Sequence, residues 1–145
     1  MNDNLGIGVM ISQLGGNKQT VDAYERAIGM ELQHVELLND ILVMRFTDGR
    51  GIQVYDDGQS CCETRYITTD DKLSDFVGAT LVDMELRDAP NVVTDDAWDE
   101  HEVQFLLVNT SKGTFTLETH NEHNGYYDGF AVVIRELPND SEGLV

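Results

Sequence analysis

Two stretches of the chain, residues 41–46 and 103–108, are almost wholly apolar. Each is followed by a glycine-containing turn and then by a run in which apolar and polar residues alternate. Short runs rich in branched and aromatic residues and closed by turns predict β-strands. In the run 51–55, Ile52 and Val54 fall on one face and Gln53 and Tyr55 on the other, the period of a strand with one buried side. Thr47-Asp48-Gly49 and Ser111-Lys112-Gly113 supply hairpin turns, and Asn39-Asp40 supplies a third between 30–37 and 41–46. Helical spacing is rarer. Val21, Tyr24, Ala27 and Ile28 follow it, with Thr20 as the expected N-cap and Gly29 where a helix commonly ends. A second short helix is predicted behind Thr68 or Thr69. Asp70 and Asp71 would sit in its first turn, Leu73, Phe76 and Val77 on its buried face, and Gly78 at its end.

These two helices open two stretches of one design. Laid over each other, residues 29–37 and 78–86 share a glycine, a leucine and a final Glu-Leu, and the turns and strands that follow keep the same order. The pattern predicts a duplicated helix–strand–strand–strand unit over 20–58 and 68–120, with a polar insertion at 87–102 in the second copy. A last strand is expected at 130–136. Residues 7–11 form an apolar patch in a glycine-rich stretch, an edge strand or an arm that docks elsewhere, and 138–145 read as a frayed tail. The expected fold is α+β in a single domain spanning 1–145. It has six or seven strands in mainly antiparallel sheet and two short helices on one side.

Charge narrows the partners. The 145 residues carry 27 acids against 9 Lys and Arg, a net charge of −18, and a pI near 4.2. Such a field repels nucleic acid and anionic lipid and attracts a basic protein surface or a cation. No apolar run approaches the roughly 20 residues of a spanning helix, and the first residues lack the basic start of a signal peptide. The two cysteines are adjacent and make no disulfide framework. The expectation is a cytoplasmic protein that contacts neither membrane nor nucleic acid directly and can form homo-oligomers.

Several groups are candidates for chemistry. Cys61, Cys62, His120 and His123 offer the ligand types of a mixed tetrahedral metal site, without the Cys-x-x-Cys or His-Glu-x-x-His spacing that would mark one. The competing reading is a half-buried cysteine pair and a polar loop. Arg65 is a candidate for an anionic ligand, against the alternative that it pairs with carboxylates. Tyr126 and Tyr127, between glycines, offer a ligand platform or a contact surface, against a turn whose rings cover the sheet end. Asp95, Asp96, Asp99 and Glu100 surround the only tryptophan, Trp98, as an aromatic anchor with an acidic rim would. The competing reading there is a solvated loop with Trp98 tucked onto the core. No nucleophile elbow or phosphate-cradling glycine loop is present, so neither an enzyme nor a cofactor is expected.

Phe46-x-Asp48-Gly49, Asp57-Gly58-Gln59-Ser60-Cys61-Cys62-Glu63 and Asn124-Gly125-Tyr126-Tyr127 resemble a family of small proteins found largely in bacteriophages and prophages, over residues 28 to 136. That family carries no assigned activity, so the resemblance implies a setting, an accessory phage protein inside a bacterium, and no site residue. Combined with the charge, the leading expectation is an acidic inhibitor of a host defence or transcription protein that binds nucleic acid, its carboxylates standing in for phosphates. The rival is a small-molecule or metal-binding module with its pocket near Cys61, Cys62, Tyr126 and Tyr127.

Overall fold

The computed structural model describes residues 9–13, 17–58, 63–89, 100–123 and 129–138. Among these the protein is mostly antiparallel β, and the elements in chain order are β1 (Val9–Met10), α1 (Lys18–Ala27), β2 (Leu32–Leu38), β3 (Ile41–Phe46), β4 (Gly51–Asp56), β5 (Glu63–Thr68), β6 (Leu81–Asp88), β7 (Glu100–Thr110), β8 (Gly113–His123) and β9 (Val132–Leu137). One sheet has the order β1-β6-β7-β8-β5 and the other β2-β3-β4-β9. The α+β expectation is therefore corrected: among the described residues, nine strands in two sheets with a single α-helix replace six or seven strands with two. The predicted second helix is one 3-10 turn, Leu73–Phe76. The residues expected at its cap and in its first turn are tied to β8 instead. Thr69 Oγ1 donates to the Thr116 carbonyl (2.7 Å), and Asp71 Oδ2 accepts from Thr116 N (2.7 Å). That leaves too little chain before Gly78, at φ +91°, for a second turn. Val77, expected on its buried face, is 39% exposed. The missed strand is β5, whose inward residues Glu63 and Arg65 are charged and so hid its alternation.

Inward positions of both sheets form one core. Leu42, Met44, Ile52, Val54 and Ile134 on one side meet Leu81, Met84, Leu106, Val108, Phe115 and Leu117 on the other, all essentially inaccessible. Helix α1 closes one flank. Its N-cap is Asn17, whose side chain accepts from Thr20 N, so Thr20 lies inside the helix and is buried. Thr20 Oγ1 accepts from Ile134 N of β9 (3.1 Å), and Tyr24 Oη accepts from Met84 N of β6 (3.3 Å). One strand of each sheet thus satisfies a buried amide on the same helix, which both orients it and covers the edge at β9. On the opposite flank Asp40, in a two-residue turn with both residues at positive φ (Asn39 51°, Asp40 65°), accepts from Ile67 N of β5 (3.1 Å).

The two sheets are joined where segments 29–32 and 78–81 run antiparallel. Gly29 N donates to Leu81 O (2.8 Å) and Gly78 N to Leu32 O (2.7 Å), while Leu32 N donates to Ala79 O (2.8 Å) and Leu81 N to Met30 O (2.9 Å). Exchanging the segments maps each bond onto another. Matching irregularities follow, between Leu32 and His34 in the β2–β3 ladder and between Leu81 and Asp83 in the β6–β7 ladder.

Gly29, at φ +86°, has open space where a side chain would project, whereas Gly78 faces the Lys112 ammonium. Replacing either by alanine forces an L-residue into the left-handed region. Gly29→Ala and Gly78→Ala should each lower stability by about 1–2 kcal/mol, seen as an earlier urea midpoint with an unchanged slope. A wild-type midpoint for both would mean that the junction tolerates another backbone path.

Candidate functional site

Core packing gives way to polar side chains at the end of the five-stranded sheet where β5, β7 and β8 run together. Alternation still decides which face each residue takes. On the inward face Glu63 and Arg65 stand opposite His123 and Asn121 of β8, which in turn stand opposite Glu100 and Glu102 of β7. On the outward face Tyr66 stands opposite His120, and His101 opposite Glu122.

The inward group is a buried ionic cluster. Arg65 Nη1 donates to both oxygens of Asp56 (3.0 and 2.8 Å), and its Nε and Nη2 donate to the two oxygens of Glu63 (3.0 and 3.1 Å). The three side chains are 8%, 3% and 0% exposed, in the order Arg65, Asp56, Glu63. The planar fork of arginine serves two carboxylates at once, which a lysine ammonium could not do with the same geometry. Burial pulls the guanidinium pKa down, but the hydrogen bonds and charges of Glu63 and Asp56 outweigh it and raise the pKa. A side chain at Gly58 would strike the guanidinium at 2.8 Å. Beside this cluster His123 Nε2 meets Glu102 Oε1 at 2.8 Å. A carboxylate only accepts, so Nε2 carries the hydrogen. Glu102 Oε1 also accepts from Gly129 N (2.9 Å), Asn121 Nδ2 donates to Gly129 O (3.0 Å), and Asp56 Oδ1 accepts from Ala131 N (3.2 Å). These contacts pin the chain entering β9 to both sheets.

The outward group is aromatic. His120 stacks on Tyr66 with centroids 4.5 Å apart and planes 8° from parallel. Its Nδ1 lies 2.8 Å from His101 Nε2 and its Nε2 lies 2.9 Å from Thr68 Oγ1. Tyr66 donates its hydroxyl to Glu122. Burial lowers the His120 pKa, and His101 lowers it further against the opposing pull of Glu118 and Glu122. Burial, then the hydrogen bond and charge of Glu122, push the Tyr66 phenol up to about 12.

This geometry separates residues that the sequence groups together. His120 and His123 point to opposite faces of β8, so they do not converge on one metal. Among the described residues no three His, Cys, Asp or Glu side chains are grouped to hold a metal ion. The Arg65 guanidinium is engaged by two carboxylates. Glu100 opens β7 and is exposed. Cys61, Cys62, Asp95, Asp96, Trp98, Asp99, Tyr126 and Tyr127 lie outside the described residues. Glu63, Tyr66, His101 and Asn121 were not candidates from the sequence. Their signal was available for one hairpin, since counting back from Ser111-Lys112-Gly113 sets His101 opposite Glu122 and Val103 opposite His120.

Arg65→Met should destabilise the fold by about 3–5 kcal/mol, because it leaves two buried carboxylates without their counter-charge. Arg65→Lys should recover only part of the loss in urea unfolding, and a Met variant of wild-type stability would contradict the cluster's role. A second expectation concerns pH. Because folding depresses the His120 pKa, the unfolded chain binds the proton more readily. The contribution is intact above the ordinary histidine value of about 6.5 and is lost as pH falls through the lower folded value. Wild type should therefore lose stability relative to His120→Gln as pH drops below about 6.5. Parallel stability–pH curves for the two proteins would exclude this.

No helix among the described residues is long and apolar enough to cross a membrane. No curated protein and no solved structure matches the chain. A family model does match residues 25–133, most of the folded region from α1 into β9. The chain belongs to the family described as a domain of unknown function, DUF7448.

Proposed function

We propose that this protein acts by binding a basic, nucleic-acid-binding protein of a bacterial host, in the host cytoplasm, presenting carboxylates where that partner holds phosphates. The partner class that fits is a defence or transcription protein, and the setting is that of a bacteriophage. The observation that carries the reading is the distribution of charge. Acids outnumber Lys and Arg 27 to 9. Five of those nine cations, Lys18, Arg26, Arg50, Arg65 and Arg87, are already ion-paired within the fold, to Asp22, Glu136, Asp48, Asp56 with Glu63, and Glu85. The positive charge is thereby neutralised locally, and the field outside the protein is set by the remaining acids. A surface of that kind steers a basic groove toward it and is rejected by nucleic acid. The sequence around Trp98, with Asp95, Asp96, Asp99 and Glu100, supplies an aromatic anchor within such a rim.

The test is capture from bacterial lysate on the tagged protein, eluted along a salt gradient and, separately, with duplex DNA. The expected result is a basic nucleic-acid-binding protein that is released at moderate salt, because screening weakens exposed charge pairs, and is displaced by the DNA. A partner held equally at high salt and indifferent to DNA would overturn mimicry.

A further inference from the structure

The imidazoles of His101 and His120 converge on the outward face where β7 and β8 pair. The register sets His101 opposite Glu122 and His120 opposite Val103, so the two histidines are diagonal neighbours, near enough for their rings to meet. His101 Nε2 lies 2.8 Å from His120 Nδ1, and the rings are tilted by 40° with centroids 5.1 Å apart. Only one hydrogen fits between two such nitrogens. Thr68 Oγ1, 2.9 Å from His120 Nε2, accepts the hydrogen of that nitrogen, so His120 turns the lone pair of Nδ1 toward His101. Stacking on Tyr66 holds the ring in that orientation. Burial and the neighbouring His101 keep His120 neutral at neutral pH, the form that ligates metals. Glu118 and Glu122 act on the same ring in the sense that favours a positive charge beside it. Both imidazoles are half-buried and reach solvent.

We infer that His101 Nε2 and His120 Nδ1 are neighbouring ligands for one divalent transition-metal ion, Ni(II) or Cu(II), whose other positions are held by water. Two nitrogens at the roughly 2.0–2.1 Å of a metal–imidazole bond stand about 2.9 Å apart at a right angle and about 3.3 Å apart at the tetrahedral angle. The observed separation matches the right angle of an octahedral or tetragonal ion, and imidazole is a ligand type such ions favour. In the metal-free chain the same separation serves one hydrogen bond. When the ion binds, the hydrogen on His101 Nε2 moves to Nδ1 of that ring, and the ion takes its place between the rings. His120 is already held by Thr68 and Tyr66, so His101 is the ring that turns. The strongly acidic chain, at a net charge of −18, raises the local concentration of cations. No third described His, Cys, Asp or Glu joins the pair, which leaves the ion open to a further chelating group. The site needs no partner protein and stands apart from the binding proposed above.

The experiment is an amide NMR titration of the intact protein with Ni(II)–nitrilotriacetate. That chelate leaves two adjacent positions on the ion open, so it engages a histidine pair in preference to scattered carboxylates. The paramagnetic ion should broaden the amides of Tyr66, His101 and His120 first, and metal-free nitrilotriacetate should leave the spectrum unchanged. His101→Gln and His120→Gln should each weaken binding at least about tenfold, the least that even outer partners of metal ligands are worth. His34→Gln, on β2 with a side chain 52% exposed, should bind as wild type does. The broadening map needs no variant, so the site is tested even where a substitution harms the fold. Broadening scattered over the acidic surface would overturn the site, as would wild-type affinity in both glutamine variants at 101 and 120. Broadening centred on Glu63, beside Cys61 and Cys62 in sequence, would assign the ion to the thiolates and overturn it too. Because the titration uses the protein alone, its failure leaves the salt-dependent capture standing, and failure of the capture leaves the site standing.

Discussion

Four backbone hydrogen bonds between segments 29–32 and 78–81 fix how the two sheets face each other. Both β2 and β6 depart from that junction, each behind a glycine held at positive φ. Once their directions are set, each strand begins a meander, β2-β3-β4 in one sheet and β6-β7-β8 in the other, and the inward residues of the two meanders interlock as a single core. Helix α1 is then held by a strand of each sheet, one amide of β9 on Thr20 and one of β6 on Tyr24. The interior is specified by backbone geometry first and by apolar volume second.

The polar end of the sandwich is the consequence of extending β5, β7 and β8 beyond that core. Side chains there still alternate, so charge enters the interior wherever the sequence places it at an inward position. Asp56 and Glu63 are sustained by a single bidentate arginine, and Glu102 by an imidazole and a backbone amide. The same extension puts His101, His120 and Tyr66 together on the outward face.

Much of the strand framework was legible because it rests on local patterns. Residues 41–46 match β3, and the turns at Asn39-Asp40 and after Phe46 stand where glycine, asparagine and aspartate signal them. What failed depended on distant contacts. The strand Glu63–Thr68 was unreadable because its inward residues are charged, and their mutual pairing is completed by Asp56 on another strand. Thr69 looks like a helix cap and Asp71 like a first-turn acid until β8 is brought beside them. Thr20 resembles an N-cap by type, but Asn17 holds that place and Thr20 serves β9. The pairing of His120 with His123 misled for a simpler reason: three residues apart meet on a helix and diverge on a strand. The Arg65–Asp56 contact joins β5 to a strand of the other sheet, which no local motif signals, whereas Glu102–His123 lies on the β7–β8 hairpin whose register the turn at Ser111-Lys112-Gly113 sets.

Taken together, the charge and the ion pairing describe a protein with a large excess of acids, five of whose nine Lys and Arg are paired with its own carboxylates. The account rests most directly on the salt dependence of its complex. The decisive measurement is the dissociation constant of the purified complex with its captured partner, across a series of ionic strengths. The account predicts a steep, linear rise in log Kd with log salt, parallel to the same partner's rise for duplex DNA. A Kd that stays flat while DNA binding by that partner weakens would contradict it.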